Sequence, residues 1–208
     1  DTGTVSEDLP EIQAAAILNS GGGITKLLEN SPNTSFGAPA ILVGLNAVSN
    51  GVLAQGTSAL ETYFAVLQGL FDSTDPVNFA SSLSSTDLLF TEIAGDGADN
   101  LPDQTIPNAA DADLFGMGPL ELTLPNGFVI DSLPAPLAGT EPTVAQAGAL
   151  QTASGNLPAV TRFTAGSHGT PVSADNPAVF FEMVNQISEL FSQGTVSVNN
   201  PSVVEASQ

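Results

Sequence analysis

The sequence predicts an α/β protein built on a parallel sheet, and three features carry that reading. Short apolar runs are spaced along the chain, each stops at a glycine-containing loop, and segments of helical periodicity lie between them. Continuous apolar runs of this kind suit strands covered on both faces, the habit of parallel sheets.

The first run, 14–19, predicts a strand that ends at Ser20-Gly-Gly-Gly23. Three glycines at a strand's carboxyl end let backbone pass close to another group, at the edge where open α/β sheets hold ligands. From 37 to 75, Ile41, Leu42, Leu45, Val48, Val52 and Leu53, then Leu60, Tyr63, Phe64, Leu67, Leu70 and Phe71, recur at helical spacing. They predict two nearly uncharged helices, parted near Gln55-Gly-Thr57 and ended by Asp75-Pro76. Two readings fit them: ordinary core helices, or a mobile apolar cap over a pocket.

A second strand is expected over 87–94, followed by the acidic loop 95–103. Residues 108–158 are rich in Pro and Gly with little periodicity and read as a long insertion. The third strand, 160–165, runs into Gly166-Ser-His-Gly169. Asn176-Pro177 then supplies an N-cap and a first-turn proline for a helix that Gly194 closes. Phe180, Met183, Val184, Ile187, Leu190 and Phe191 are its expected apolar face, and 195–208 form a polar tail. Three strands leave a parallel sheet with an unpaired apolar edge, so a partner supplying earlier strands is expected.

Composition narrows the function classes. Of 208 residues, 22 are acidic and only Lys26 and Arg162 are basic, a formal net charge of −20. The acidic share is ordinary; the missing Lys and Arg make the imbalance. Such a surface is repelled by phosphate backbones and anionic headgroups, which argues against nucleic-acid binding and polybasic membrane docking. The absence of Cys excludes a disulfide scaffold, a zinc-thiolate site and a cysteine nucleophile. No apolar stretch reaches the ~18 residues of a membrane helix. The chain opens on Asp1 rather than Met, which reads as a processed or cut end.

His168, the only histidine, follows the third strand in a glycine-flanked loop, where an imidazole can serve as a general base. Asp96, Asp99 and Asp103 follow the neighbouring strand, earlier in the chain. One of them can fix the tautomer of His168, in the Ser…Asp…His order of α/β-hydrolases. The same loop, with Asn100, also offers hard oxygen ligands for calcium, without the EF-hand spacing. No Gly-x-Ser-x-Gly occurs. Ser167 adjoins His168 too closely in sequence for the required geometry, and Ser20 lacks the helix that opens after a nucleophile elbow.

Five segments in order carry a resemblance: Ala16-Ile-Leu-Asn-Ser-Gly-Gly-Gly-Ile24, Asp75-Pro-Val-Asn-Phe79, Gly95-Asp-Gly-Ala-Asp-Asn-Leu-Pro-Asp-Gln-Thr-Ile-Pro107, Pro136-Leu-Ala-Gly-Thr-Glu141 and Phe163-Thr-Ala-Gly-Ser-His-Gly169. Together they resemble the bacterial extracellular, virulence-factor type lipases, α/β-hydrolases that include surface lysophospholipases. The resemblance covers about 10–194 and the half of such an enzyme after its nucleophile elbow. It implies that 1–194 is the C-terminal portion of an α/β-hydrolase domain, with 24–75 as a helical cap segment over an acyl pocket. It implies Asp103 as triad acid and His168 as triad base. The Ser and oxyanion-hole amides would belong to an N-terminal half on a separate chain. The expected protein is then a secreted or cell-surface bacterial ester hydrolase acting on acyl lipids, with no cofactor. A secreted binding protein with a degenerate hydrolase fold and calcium on its acidic loops is the alternative.

Overall fold

The structure is a computed structural model and describes residues 12–83, 85–108, 122–123, 129–130, 138–151 and 156–206. In chain order its elements are β1 (Ala14–Leu18), α1 (Ile24–Asn30), α2 (Ala38–Val48), α3 (Ser58–Phe71), short 3-10 turns at Pro76–Asn78 and Ala80–Leu83, and β2 (Asp87–Ile93). There follow β3 (Leu122–Thr123), β4 (Val129–Ile130), α4 (Thr140–Ala147), β5 (Leu150–Gln151), β6 (Ala159–Phe163), α5 (Thr170–Ser173), α6 (Pro177–Gln193) and a 3-10 turn at Pro201–Val203.

The three expected strands form one parallel sheet in the spatial order β1-β2-β6, with the two-residue β5 beyond β6. Leu18 pairs with Thr91 and Ile93 with Phe163, so the carboxyl ends of all three strands lie on one edge. Residues 88–93 of β2 are buried throughout, as a central strand requires. β1 departs from expectation. It is half-buried along its length, because β2 covers one side and no described strand covers the other.

Helices cover both faces. On one, Ala15, Ile17, Leu88, Phe90 and Val160 pack against Ala80, Leu83, Val144 and Ala147. On the other, Leu89 and Ala159 meet Leu190 and Val196, while Ile93 and Phe163 meet Val179, Met183, Val203 and Val204. The expected insertion 108–158 therefore contributes α4 to the sheet's cover; its residues 109–121, 124–128, 131–137 and 152–155 lie outside the described residues.

The α6 caps are as the sequence expects: the Asn176 side chain accepts from the Val179 amide at 3.3 Å, and Gly194 ends the helix left-handed. The buried face is different. Val179, Glu182, Met183, Gln186 and Leu190 face inward, while Val184 and Phe191 are exposed. The polar residues are buried because they have partners. Gln186 accepts from the Thr161 hydroxyl at 2.8 Å and donates to Glu182 at 2.8 Å. Glu182 also accepts from the amides of Asn199 and Asn200, at 2.9 and 2.8 Å. The polar tail is thereby bound to the domain: Thr164 donates its amide to Val203, Glu205 donates to Arg162, and Val204 bridges Phe163.

Helices α2 and α3 match the two expected from periodicity, and Thr57 caps α3 by accepting from the Leu60 amide at 3.2 Å. They pack on each other through Leu42, Leu60 and Phe64. Lys26 of α1 ties α3 to this layer, reaching Glu29 at 2.6 Å and Glu61 at 2.7 Å. The close approach expected at the three glycines is real, and the group approached is Asp75. Its buried carboxylate accepts from Gly23 and Ile24 amides at 2.9 to 3.0 Å, from Gln68 at 2.7 Å and from Val77 at 3.2 Å. A Cβ on Gly22 would stand 2.8 Å from that carboxylate, so only glycine fits.

Candidate functional site

The edge where the strands end carries the loops 19–23, 94–108 and 164–169, and the last of these meets both of the others. Asp103 follows β2 and is anchored by its own amide, which donates to the Ile93 carbonyl at 2.9 Å. One carboxylate oxygen, Oδ1, accepts from the amides of Thr105 and Ile106 at 2.7 and 3.1 Å. The Ser31 hydroxyl at the end of α1 holds the same loop, donating to the Thr105 carbonyl at 2.6 Å. The other oxygen, Oδ2, lies 2.8 Å from Nδ1 of His168. The Asp103 side chain is 2% exposed and that of His168 39%, so the acid is enclosed and the imidazole reaches solvent. With Asp103 as a carboxylate, Nδ1 is the donor and Nε2 is the ring atom left able to accept a proton.

The His168 loop needs its first glycine. Gly166 has φ +109, and a Cβ there would stand 2.9 Å from the Thr170 hydroxyl. That hydroxyl accepts from the Ser167 amide at 2.8 Å, closing the turn that presents His168. A cavity of about 470 Å³ lies between this loop and the acidic one. It is lined by His168, Gly166 and Ser167 on one side and by Asp99, Leu101 and Thr105 among others on the opposite side. The expected cap helices contribute nothing to it, so the acyl pocket foreseen under residues 37–75 is not this cavity.

Of the three candidate aspartates, only Asp103 reaches His168. Asp96 folds back on its own loop, accepting from the amides of Ala98 and Asn100 at 2.9 Å and from the Asn100 side chain at 2.6 Å. These bonds hold its carboxyl down at about 2, the Asn100 amide contributing most. Among the described residues no cluster of three or more His, Cys, Asp or Glu residues suited to a metal occurs.

Neither candidate serine engages His168. The Ser167 hydroxyl donates to Asp175. Ser20 Oγ is buried without a hydrogen-bond partner beside an apolar cavity of about 160 Å³ that Ile17, Phe90 and Thr143 also line.

Two features near this edge are absent from the residues the sequence singles out. Asn19 is 2% exposed with φ 47, and it donates through Nδ2 to the His168 carbonyl at 3.2 Å. The available signal was an Asn closing a strand ahead of glycines, since Asn tolerates positive φ. The second is an ion cluster inside the sheet. Glu92 and Arg162 are register partners on β2 and β6, with Nε 2.8 Å from Oε1, and Arg162 also reaches Glu141 at 2.7 Å. Burial pushes the Glu92 carboxyl up to about 9; Glu141 adds to the rise and Arg162 offsets part of it. No local pattern marks a long-range pair of this kind.

Comparison with protein-family models, curated proteins and solved structures finds no match. Among the described residues, no helix is long and apolar enough to cross a membrane.

Proposed function

We propose that the chain supplies the acid and base of a serine-type carboxylic-ester hydrolase. The observation that carries this reading is the 2.8 Å contact between an enclosed Asp103 carboxylate and Nδ1 of a half-exposed His168. The two residues sit on loops after adjacent parallel strands, in the chain order of a Ser…Asp…His triad. The serine comes from a polypeptide segment that precedes β1 in the sheet and pairs with its open side. Nε2 of His168 takes the proton from that serine as its Oγ attacks the acyl carbonyl, and then returns the proton to the leaving alcohol. Asp103 keeps the imidazole in the Nδ1–H tautomer and stabilises the imidazolium. The resemblance to extracellular lipases makes acyl lipids the substrate class, and the net charge of −20 favours neutral or zwitterionic ones.

A degenerate fold used only for binding is the competing reading, favoured by the engagement of Ser167 with Asp175 and the burial of Ser20 Oγ. A serine-directed fluorophosphonate, applied to the complex this chain forms in its native source, separates the two. Labelling of an associated chain, with ester turnover that needs the complex, supports the hydrolase. Labelling of no associated chain, with no turnover, passes the lead to the binding protein.

A further inference from the structure

We propose that Asn19 is the positioning residue that seats His168 against Asp103; this rests on the reading of His168 as the base. Asn19 is the residue after β1, and its own amide donates to the Thr91 carbonyl of β2 at 2.9 Å. Its side chain is oriented from the other end. The Thr91 hydroxyl donates to Oδ1 at 3.2 Å, which turns Nδ2 toward the His168 carbonyl, also at 3.2 Å. Thr91 is fully buried and Asn19 nearly so, so water does not compete for these groups. The His168 loop is thus held from two directions, by Asp103 at the ring and by Asn19 at the backbone. With the carbonyl tethered, the ring stays within reach of the carboxylate instead of following a loose loop.

The residue type fits the task. Asn adopts φ 47 at little cost and brings a donor and an acceptor on one short side chain. Asp at this position keeps size and backbone tolerance but turns an acceptor toward the His168 carbonyl. Gly keeps the backbone and removes the side chain.

Because His168 is the chain's only histidine, its imidazole gives a single set of nitrogen resonances, readable without any activity. In the wild-type chain the expected spectrum has one dominant Nδ1–H tautomer with slow solvent exchange. In Asn19→Asp and Asn19→Gly the Nδ1–H exchanges at least about tenfold faster and the tautomers mix, while the remaining amide spectrum stays folded. An unchanged imidazole signal in either folded variant overturns the proposal. Should both variants unfold, the Asn19 side-chain amide of the wild-type chain decides: protons protected from exchange support the tether, and freely exchanging ones overturn it. In the assembled enzyme, kcat should fall in Asn19→Asp with KM unchanged. Absence of ester turnover in the wild-type complex overturns the hydrolase reading, whereas the imidazole spectra test the tether separately.

Discussion

His168 and Asp103 contribute differently to stability, and that difference separates catalytic from structural effects. His168 is exposed at 39% of its side chain, so His168→Ala should leave the melting temperature nearly unchanged. With His168 as the proposed base, ester turnover by the assembled enzyme should fall by roughly three to six powers of ten, because the members of such a triad act as a unit. Asp103→Asn retains an oxygen for the Thr105 and Ile106 amides but permits the wrong imidazole tautomer. Its expected loss is about 10⁴-fold in kcat with a folded protein. Wild-type turnover in a stable His168→Ala variant would remove His168 from catalysis. Burial and scarcity meet in Arg162, one of only two basic residues, whose guanidinium lies between Glu92 and Glu141. Burial inside the sheet, with the Glu141 carboxylate close by, makes Glu92 bind a proton more tightly folded than unfolded, and Arg162 offsets part of this. Between the ordinary value of 4.5 and about 9, the folded state therefore holds more protons than the unfolded one. The resulting stabilisation is complete below the lower value and is lost as pH rises through the upper. Thermal melts from pH 5 to 9 should decline by several degrees, and Glu92→Gln should flatten the decline. An equal slope in wild type and variant would assign the dependence to other groups.

Elements were legible in the sequence where their cause is local. The apolar runs of β1, β2 and β6 and the Asn176 and Gly194 caps of α6 declare themselves within a few residues. The chain order left Asp96, Asp99 and Asp103 open as partners of His168, and the resemblance alone singled out Asp103, the one that lies against the ring. What stayed hidden depends on partners far away in sequence. Glu182 and Gln186 look like a solvated helix face until Asn199, Asn200 and Thr161 are brought against them. The three glycines after β1 suggest a ligand, yet their occupant is Asp75, more than fifty residues on. Helix periodicity likewise misplaced Phe191 and Val184, because burial follows where the tail docks and not hydropathy alone. The tail's attachment can be tested through Glu182. Its replacement by Ala leaves the Asn199 and Asn200 amides without their acceptor, at a cost of about 1–3 kcal/mol. Hydrogen exchange should then quicken at Thr164 and Glu205 ahead of the rest of the sheet. Unaltered protection at both amides would mean that Val203 and Val204 alone hold the tail.

At the scale of the whole molecule, the side of β1 that no described strand covers is where the proposed serine-bearing segment would pair. Asn19 donates its amide toward β2 and Gln13 accepts from β2, so odd-numbered residues of the strand bond inward. By alternation, the N–H and C=O groups of Ala14, Ala16 and Leu18 point outward, where no described strand pairs with them. A strand added there in parallel would bring its carboxyl end to the edge that carries Asp103 and His168. Under the proposed function, that is where a serine at the end of such a strand would meet the imidazole. Backbone pairing, not side-chain chemistry, would then determine assembly. Ala16→Pro removes one outward N–H and none of the bonds to β2, and edge strands tolerate proline. The variant alone should melt within a few degrees of wild type while its complex with the serine-bearing segment fails to form. In the wild-type complex the amides of Ala14, Ala16 and Leu18 should become protected from exchange, having been open in the free chain. Native mass spectrometry of wild type and Ala16→Pro, with exchange read at those three amides, makes the comparison. A complex that forms equally well with Ala16→Pro, or leaves those amides open, places the serine's contact elsewhere on the molecule.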